Sequence, residues 1–258
     1  SDPHTHIHFL RKIRQKMLTE NKLSKYVIYA IGEILLVVIG ILIALQINNF
    51  NNHKQQRQIE QVYLSSLKAE FQTNMKKIDD CLARTTERMH ASEDMLALFD
   101  KNIIDTTSST TLSNILYGAL SGSATYTPSK GVLTDIISSG NLNLIQNEQL
   151  RQNLASFEST LVYTKLQEAS FQSTNRKLRS QFNERGSVRR VLRDRGVNFK
   201  HQSISDTLNN KKMFNSIEFE NTLLDYYLTI KAANGPMIFG GIKEQIELIL
   251  VAIDSELK

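Results

Sequence analysis

The feature that most constrains this chain is an apolar stretch at residues 26–47, which contains a single charged residue, Glu33. A helix needs roughly 20 apolar residues to cross a bilayer core of about 30 Å, and this stretch is long enough. It is longer than the apolar core of a signal peptide, and no small-x-small cleavage site follows it. We therefore predict an uncleaved membrane anchor, with a leader at 1–24, a transmembrane helix at 25–48 and one further domain at 49–258.

Basic residues are distributed unequally around the apolar stretch. Six of them precede it within about 15 positions: Arg11, Lys12, Arg14, Lys16, Lys22 and Lys25. Only two follow it at a similar distance: Lys54 and Arg57. The flank with more Lys and Arg normally stays in the cytoplasm, so we predict a cytoplasmic N-terminus and, in a Gram-negative inner membrane, a periplasmic domain. The basic amphipathic leader is expected to lie on anionic lipid of the inner leaflet, which makes membrane lipid a predicted partner.

The sequence after the apolar stretch predicts an all-α fold. The chain has only three Pro and eleven Gly among 258 residues, and neither type occurs between Gly40 and Gly118. Both types interrupt helices. Apolar or small residues also recur at alternating spacings of three and four: Met75, Ile78, Leu82, Thr85, Met89, Ser92, Leu96 and Phe99. The membrane helix should therefore continue into a long helix that packs in an antiparallel bundle of four or five helices.

Turn-forming residues punctuate the next part of the chain. A polar break is expected at 103–111, and a short helical hairpin at 112–140. Within the hairpin, Thr127 and Pro128 are the residue types typical of an N-cap and of a first helical position. Gly140 is typical of a helix end.

Similar signals divide the C-terminal half. Asn147 is predicted to cap a long helix, and residues 186–203 should break it. Two more helices are expected at about 205–232 and 237–257, separated by the stop signal Asn234-Gly235-Pro236. The lone cysteine, Cys81, excludes an intramolecular disulfide and is expected to be a small buried residue.

Two sequence runs are shared with a known kind of protein. One is FLRKIRQKMLTENKLSKYVIYAIGEILLVVIGILIALQINNFN, with its basic leader, YAIGE element and GILIALQINN exit. The other is TPSKGVLTDIISSGNLNLIQNEQLRQNL at residues 127–154, with its SSGxLxLI segment. Both resemble an uncharacterised family of single-span membrane proteins from Bacteroidota. The resemblance implies this topology and supplies no activity; the chain departs from the pattern at its extreme N-terminus and at Phe50, where a Trp is usual.

One face of the transmembrane helix is a candidate interaction site. Val37, Gly40 and Ala44 follow Glu33 at offsets of four, seven and eleven, and Gly40 and Ala44 have the small-x-x-x-small spacing that lets helices approach closely. We predict an oligomer or partner interface with Glu33 hydrogen-bonded inside it. Alternatively, Glu33 reaches the inner headgroups and pairs with Lys25 or the leader. Proton or ion conduction would need a second titratable group in the membrane, which this stretch lacks.

A second candidate site is basic. Residues 176–200 contain nine Lys or Arg against two acidic residues. Six of these positions form a candidate anionic-surface patch: Arg185, Arg189, Arg190, Arg193, Arg195 and Lys200. It could bind lipid, lipopolysaccharide, cell-wall polymer or an acidic protein. A solvated arginine-rich loop without a ligand is the alternative, and nucleic acid is not an expected partner in the periplasm.

The sequence carries no established signature of catalysis or metal binding. The sequence has no G-x-S-x-G, H-E-x-x-H or phosphate-binding loop. His4, His6 and His8 could hold a transition metal if extended, but no carboxylate or Cys completes the set, and we favour a flexible terminus. The other histidines are scattered. We predict no enzyme activity, no cofactor and no metal site.

These observations favour a non-enzymatic scaffold or accessory subunit of an envelope complex. The partner would be a second copy of the chain or another envelope protein. The competing prediction is a periplasmic ligand-binding or sensor module, in which a small molecule in the bundle shifts the long helix. The short leader contains no signalling domain, which argues against autonomous signalling.

Overall fold

The structure is a computed structural model that describes residues 22–122 and 124–257. The predicted leader lies almost entirely outside these ranges, and so do His4, His6 and His8. The chain divides into two compact units, Ser1–Ile59 and Glu60–Lys258, which are described separately.

The described residues form eight α-helices and no β-strand, so the prediction of an all-α fold is confirmed. The helices are α1 Lys22–Ala97, α2 Lys101–Thr106, α3 Ser109–Leu120, α4 Gly131–Ser138, α5 Glu148–Arg185, α6 Val188–Asp194, α7 Ile217–Asn234 and α8 Phe239–Glu256. Three short 3₁₀ turns occur at Asn141–Leu144, Ile204–Thr207 and Asn210–Asn215. The long first helix ends within two residues of Phe99, where the predicted periodicity stops.

The first unit consists, where described, of residues 22–59 of α1, which include the apolar stretch. Every large apolar side chain from Tyr26 to Ile47 is exposed, from 43% at Ile39 to 79% at Tyr29. A helix that is apolar on all sides is typical of a membrane span or of a buried core, and none of these side chains is buried. Among the described residues, α1 is the one helix long and apolar enough to cross a membrane.

The second unit is organised around three elements: α1, α5, and a row formed by α7 and α8. Residues of α1 pair with α8 in opposite chain directions, through Lys68 with Asp254 at 2.7 Å and Asp79 with Lys243 at 2.8 Å. The helices α7 and α8 follow one another in the same row. The unit is therefore built from α1, α5 and the α7–α8 row, with the shorter helices as additions.

The α7–α8 row also runs antiparallel to α5. Gln245 of α8 donates a hydrogen bond to the carbonyl of Asn153 near the start of α5. At the other end of α5, Arg185 forms a salt bridge of 3.0 Å with Glu218 of α7. Because α1 and α5 both oppose the same row, they run parallel to each other.

A tight break between α7 and α8 confirms the predicted stop at Asn234-Gly235-Pro236. The α7 helix ends at Asn234, and α8 begins at Phe239. At Gly241, an added Cβ would lie 2.1 Å from the Pro236 carbonyl oxygen, so only glycine fits there without a backbone shift. The Asn234 side chain contacts the hydroxyl groups of Thr85 and Thr86 on α1.

Apolar side chains form two separate cores in this unit. One core joins the first part of α1 within the unit to α4, the first half of α5 and α8, and it includes Phe71 and Phe157 in an edge-to-face pair at 5.1 Å. The other joins the end of α1 to α3, the second half of α5 and α7, with Phe171 stacked on Tyr226 at 5.7 Å. Polar side chains, including Thr85 and Arg88, occupy the stretch of α1 between the two cores.

Several local predictions were wrong in detail. The segment 103–111 is not a simple break, because it contains most of α2 and the start of α3, which Ser108 caps. Thr127 and Pro128 do not start a helix; the helix begins at Gly131, after Lys130. The predicted break at 186–203 contains α6. The predicted cap at Asn147 is confirmed, because its side chain accepts a hydrogen bond from the backbone of Leu150.

Candidate functional site

The predicted transmembrane face is exposed, as is every other side of α1 between Ser24 and Gln56. Glu33 and Val37 border a shallow groove of about 300 Å³, together with Ala30, Ile34 and Val38. A Cβ added at Gly40 would have no atom within 4 Å other than the backbone of its own helix turn. Ala44 is exposed one turn further along. The face is thus open for a partner helix in this unit, and its role as an interface stays a prediction.

Three of the predicted basic residues contact helices other than α6 in the second unit. Arg195 lies over the Tyr117 ring at 3.8 Å and donates a hydrogen bond of 2.8 Å to Asn114 of α3. Arg190 donates to the Ser109 hydroxyl at 3.4 Å. These contacts attach the α6 region to α3. Arg185, at the end of α5, instead forms a salt bridge with Glu218 of α7.

The remaining basic residues lie in α6, as Arg189 and Arg193 do, or after it, as Lys200 does. Arg189 lies over the Phe199 ring at 4.4 Å and also donates to the backbone carbonyl of His201. Arg193 and Lys200 are exposed. The structure therefore gives many of these side chains an intramolecular role that the sequence did not suggest. Binding of an anionic surface stays a prediction.

A different site emerges where polar side chains hold the segment at residues 124–147. Glu70 of α1 is only 9% exposed, and its carboxylate accepts hydrogen bonds from the backbone amides of Val132 at 2.8 Å and Leu133 at 3.1 Å. These amides lie in the first turn of α4, whose own N-cap residue, Lys130, offers no side-chain acceptor. Glu70 therefore caps α4 from another helix.

Asn74, one turn further along α1, extends this attachment. It is fully buried, and its amide group accepts from the Ser129 backbone N–H at 2.7 Å and donates to the Ser129 carbonyl at 2.8 Å. Lys77 adds a hydrogen bond of 2.9 Å to the Ser129 hydroxyl. Both main-chain groups of one loop residue are thus satisfied by a single side chain, which fixes the backbone direction at the entrance to α4.

Two further carboxylates hold the ends of the same segment. Glu60 is fully buried and accepts a hydrogen bond of 2.8 Å from the Gln146 backbone amide. Glu168 of α5, 8% exposed, accepts one of 2.7 Å from the Tyr126 amide. We call Glu60, Glu70, Asn74 and Glu168 the loop clamp. Much of the 127–154 stretch that carries the family resemblance is the segment held by these residues.

The loop clamp was not predicted from the sequence. A usable signal was present, because Glu70 and Asn74 are four residues apart and fall on the side of α1 that carries Phe71 and Ile78. Carboxylates and amides are rarely buried unless they are hydrogen-bonded. Polar residues on an otherwise apolar helix face therefore indicate a specific partner, although the sequence does not identify it.

Burial also alters the titration of groups near the loop clamp. Burial raises the pKa of Glu168, while its hydrogen bond from Tyr126 and the charge of Lys165 act in the opposite direction. Burial, with a smaller contribution from Glu168, raises the pKa of the Cys81 thiol to about 11. The thiol is therefore protonated at neutral pH and is a poor nucleophile, in agreement with the small buried residue predicted for this position.

The polar stretch between the two cores contains a buried arginine. Arg88 of α1 is 7% exposed, and its Nη1 has no hydrogen-bond partner within the described ranges. The Nδ2 atom of the neighbouring Asn175 also lacks a hydrogen-bond partner within the described ranges. Burial raises the pKa of Tyr226, and the nearby Arg88 and Asn175 side chains act against that rise. No carboxylate of the described residues forms a salt bridge with Arg88, although a buried cation is normally accompanied by one.

The part of the chain that the structure describes contains no group of three or more His, Cys, Asp or Glu side chains able to hold a metal ion.

Comparison with known proteins gave a family and no relative of known function. A family model described as a family of unknown function, DUF6090, matches residues 33–223, well over half of the 258 residues. No curated protein and no solved structure matches the chain. The matched region begins inside the apolar part of α1 and includes the whole loop clamp. The prediction of an uncharacterised family is confirmed, whereas the Bacteroidota origin stays a prediction. The chain belongs to the DUF6090 family of unknown function.

Proposed function

We propose that this protein is a single-pass inner-membrane protein whose second unit is a periplasmic, non-enzymatic scaffold or accessory subunit of an envelope complex. The observation that carries the proposal is the exposure of every large apolar side chain from Tyr26 to Ile47 in α1. A hydrocarbon environment would cover these side chains, and an aqueous one would not. The basic residues before the stretch favour a cytoplasmic N-terminus.

The scaffold role is supported by the way the second unit holds its own surface. The loop clamp binds backbone amides of the segment at 124–147, which leaves several side chains of that segment in solvent, among them Thr134, Asp135 and Ser138. A surface fixed by buried hydrogen bonds is ordered before a partner arrives, which lowers the entropy cost of association. The small-x-x-x-small face of α1 would supply a second contact inside the membrane.

Assembly through the α1 face is tested by adding bulk to it. We expect Gly40→Ile to weaken self-association or partner association of the full chain by about tenfold, because the added side chain prevents close helix approach. Glu33→Gln, which keeps the shape, should weaken it less. Leu42→Phe enlarges a side chain on the opposite side of the helix and is the control. Light scattering after mild detergent extraction measures the size, and cross-linking in native membranes identifies the partner. Assemblies of unchanged size and composition in both Gly40→Ile and Glu33→Gln would remove the basis for this interface.

Orientation is tested with single cysteines. The buried Cys81 is first replaced by alanine, and Cys is then introduced at Thr19, in the leader, or at the exposed Thr110 of α3. In intact spheroplasts, a membrane-impermeant maleimide should label Thr110→Cys and should label Thr19→Cys only after lysis. The opposite labelling pattern would contradict the periplasmic assignment.

A further inference from the structure

A groove lies between the end of α5 and the shorter helices α3 and α6, and its volume is about 170 Å³. Leu120 lines it from α3, Phe182 from α5 and Val191 from α6. These three side chains are 7%, 5% and 5% exposed and belong to the second apolar core. An apolar cavity of about 150 Å³ is large enough to hold a benzene ring. The groove therefore has room for one aromatic ring against an apolar surface.

The α6 wall of the groove is held in place at both ends. At its start, the main chain of Ser187 donates to the Asn210 Oδ1 at 2.7 Å and accepts from the Asn210 Nδ2 at 3.2 Å. At its end, Asp194 accepts a hydrogen bond of 2.7 Å from the Ser113 hydroxyl of α3. The groove is thus formed before a ligand arrives, which lowers the cost of binding.

The helix segments that form the groove carry an excess of positive charge. Residues 109–120, 176–185 and 188–194 contain seven Lys or Arg against two acidic residues, Glu184 and Asp194. Neither of the two carboxylates lines the groove. Each accepts a hydrogen bond from a serine hydroxyl, Glu184 from Ser180 and Asp194 from Ser113. This balance of charge attracts an anion.

Arg179 provides a positive charge at the groove itself. It lines the groove, it is exposed, and it forms no salt bridge and no side-chain hydrogen bond with any described residue. Asn183, one turn further along α5, also lines the groove and is exposed. A guanidinium binds a carboxylate through two parallel hydrogen bonds, and an Asn amide can donate another. The groove therefore combines an apolar surface with N–H donors that are open to solvent.

We propose that this groove binds a small aromatic carboxylate, with its ring against Leu120, Phe182 and Val191 and its carboxylate at Arg179. Phe182 provides an aromatic partner for the ring. The volume holds one ring and excludes a two-chain lipid, so the ligand is a free small molecule and not a component of the bilayer. This binding role adds to the proposed scaffold role and depends neither on it nor on membrane orientation.

The test uses the full-length chain in a maltoside detergent and 3-phenylpropionate as the probe, with calorimetric titration. The compounds 3-phenylpropanol and 3-phenylpropylamine have the same ring with a neutral or a cationic head, and they control for partition into micelles. Propionate has the same head without the ring. We expect 3-phenylpropionate to bind at least fivefold more tightly than each of these three compounds, because only it satisfies both the apolar surface and Arg179.

Two substitutions alter the groove without removing a core side chain. Arg179→Gln removes the charge and should weaken 3-phenylpropionate binding at least fivefold. Val188 lines the groove and is 44% exposed, so Val188→Phe should occupy space that the ring needs and weaken binding about tenfold. Arg176→Gln and Val162→Phe make the same changes at exposed positions of α5 that do not line the groove. These matched controls should bind normally.

Thermal unfolding separates loss of binding from loss of structure. Without ligand, Arg179→Gln should melt within about 2 °C of the unmodified chain, because the side chain is exposed. The probe should raise the melting temperature of the unmodified chain and not that of this variant. Absence of 3-phenylpropionate binding, equal affinity for 3-phenylpropionate and 3-phenylpropanol, or unchanged affinity in Arg179→Gln would overturn the proposal. Arg179→Gln keeps the test valid if Val188→Phe fails to fold.

Discussion

Replacement of Glu70 by alanine is expected to lower the free energy of unfolding of the second unit by about 2–5 kcal/mol. The carboxylate accepts from two backbone amides at the start of α4, at 2.8 and 3.1 Å. Loss of a buried acceptor leaves each donor with a penalty of about 1–3 kcal/mol, and α4 has no side-chain cap of its own. Urea denaturation of the full chain, followed by far-ultraviolet circular dichroism, measures the change.

Two further variants isolate the hydrogen bonds from general effects of substitution. Glu70→Gln keeps the size and one acceptor oxygen, and it should lose less than half as much stability as Glu70→Ala. Glu87→Ala removes an exposed carboxylate from the same helix and should change stability by less than about 0.5 kcal/mol. Amide hydrogen exchange at Val132 and Leu133 should accelerate in Glu70→Ala before it does so elsewhere. Similar stability losses in Glu70→Ala and Glu87→Ala would show that the cap contributes nothing.

This capping interaction also explains why the start of α4 was predicted three residues too early. Thr127 and Pro128 are local signals of a helix start, and a window of neighbouring sequence contains no better ones. The acceptor that sets the start is Glu70, more than fifty positions earlier in the chain. Where the cap was local, as at Asn147, the prediction was confirmed.

The long helix was predictable because its signals are continuous along the chain. Its periodicity and the lack of Gly and Pro placed its end near Phe99, and the structure ends it at Ala97. The face that it buries was predicted less well. Ile78, Thr85 and Ser92 are buried as expected, whereas Met75, Leu82 and Met89 are only half-buried.

The centre of that face is instead occupied by the preceding residue in each case: Asn74, Cys81 and Arg88. A hydrophobicity pattern assigns the face to the apolar residues that flank these positions, because it treats buried polar side chains as surface. For the same reason the loop clamp was missed, and the basic patch was treated as one site although its arginines contact different parts of the second unit. Partners of polar groups follow from tertiary structure, which the linear pattern does not contain.

Replacement of Arg88 by methionine is expected to raise the free energy of unfolding by about 1–3 kcal/mol, which reverses the usual sign for a core substitution. Transfer of a cation to the interior costs several kcal/mol unless a carboxylate and hydrogen bonds compensate it. Arg88 is 7% exposed as a residue, and its Nη1 lacks a hydrogen-bond partner within the described ranges. Methionine has a similar length and adapts to an irregular space. The Tyr226 hydroxyl keeps its hydrogen bond to the Ala119 carbonyl in the variant.

Two comparisons determine whether charge burial is the cause of that gain. Arg88→Ala removes the charge but leaves a cavity, so the gain should be cancelled or reversed. Arg84→Met, at an exposed position one turn earlier on α1, should change stability by less than about 0.5 kcal/mol. A loss of several kcal/mol in Arg88→Met, measured by urea denaturation, would mean that the guanidinium is compensated in the folded protein. The polar stretch between the two cores would then stabilise the bundle, and the two cores would depend on it to fold together.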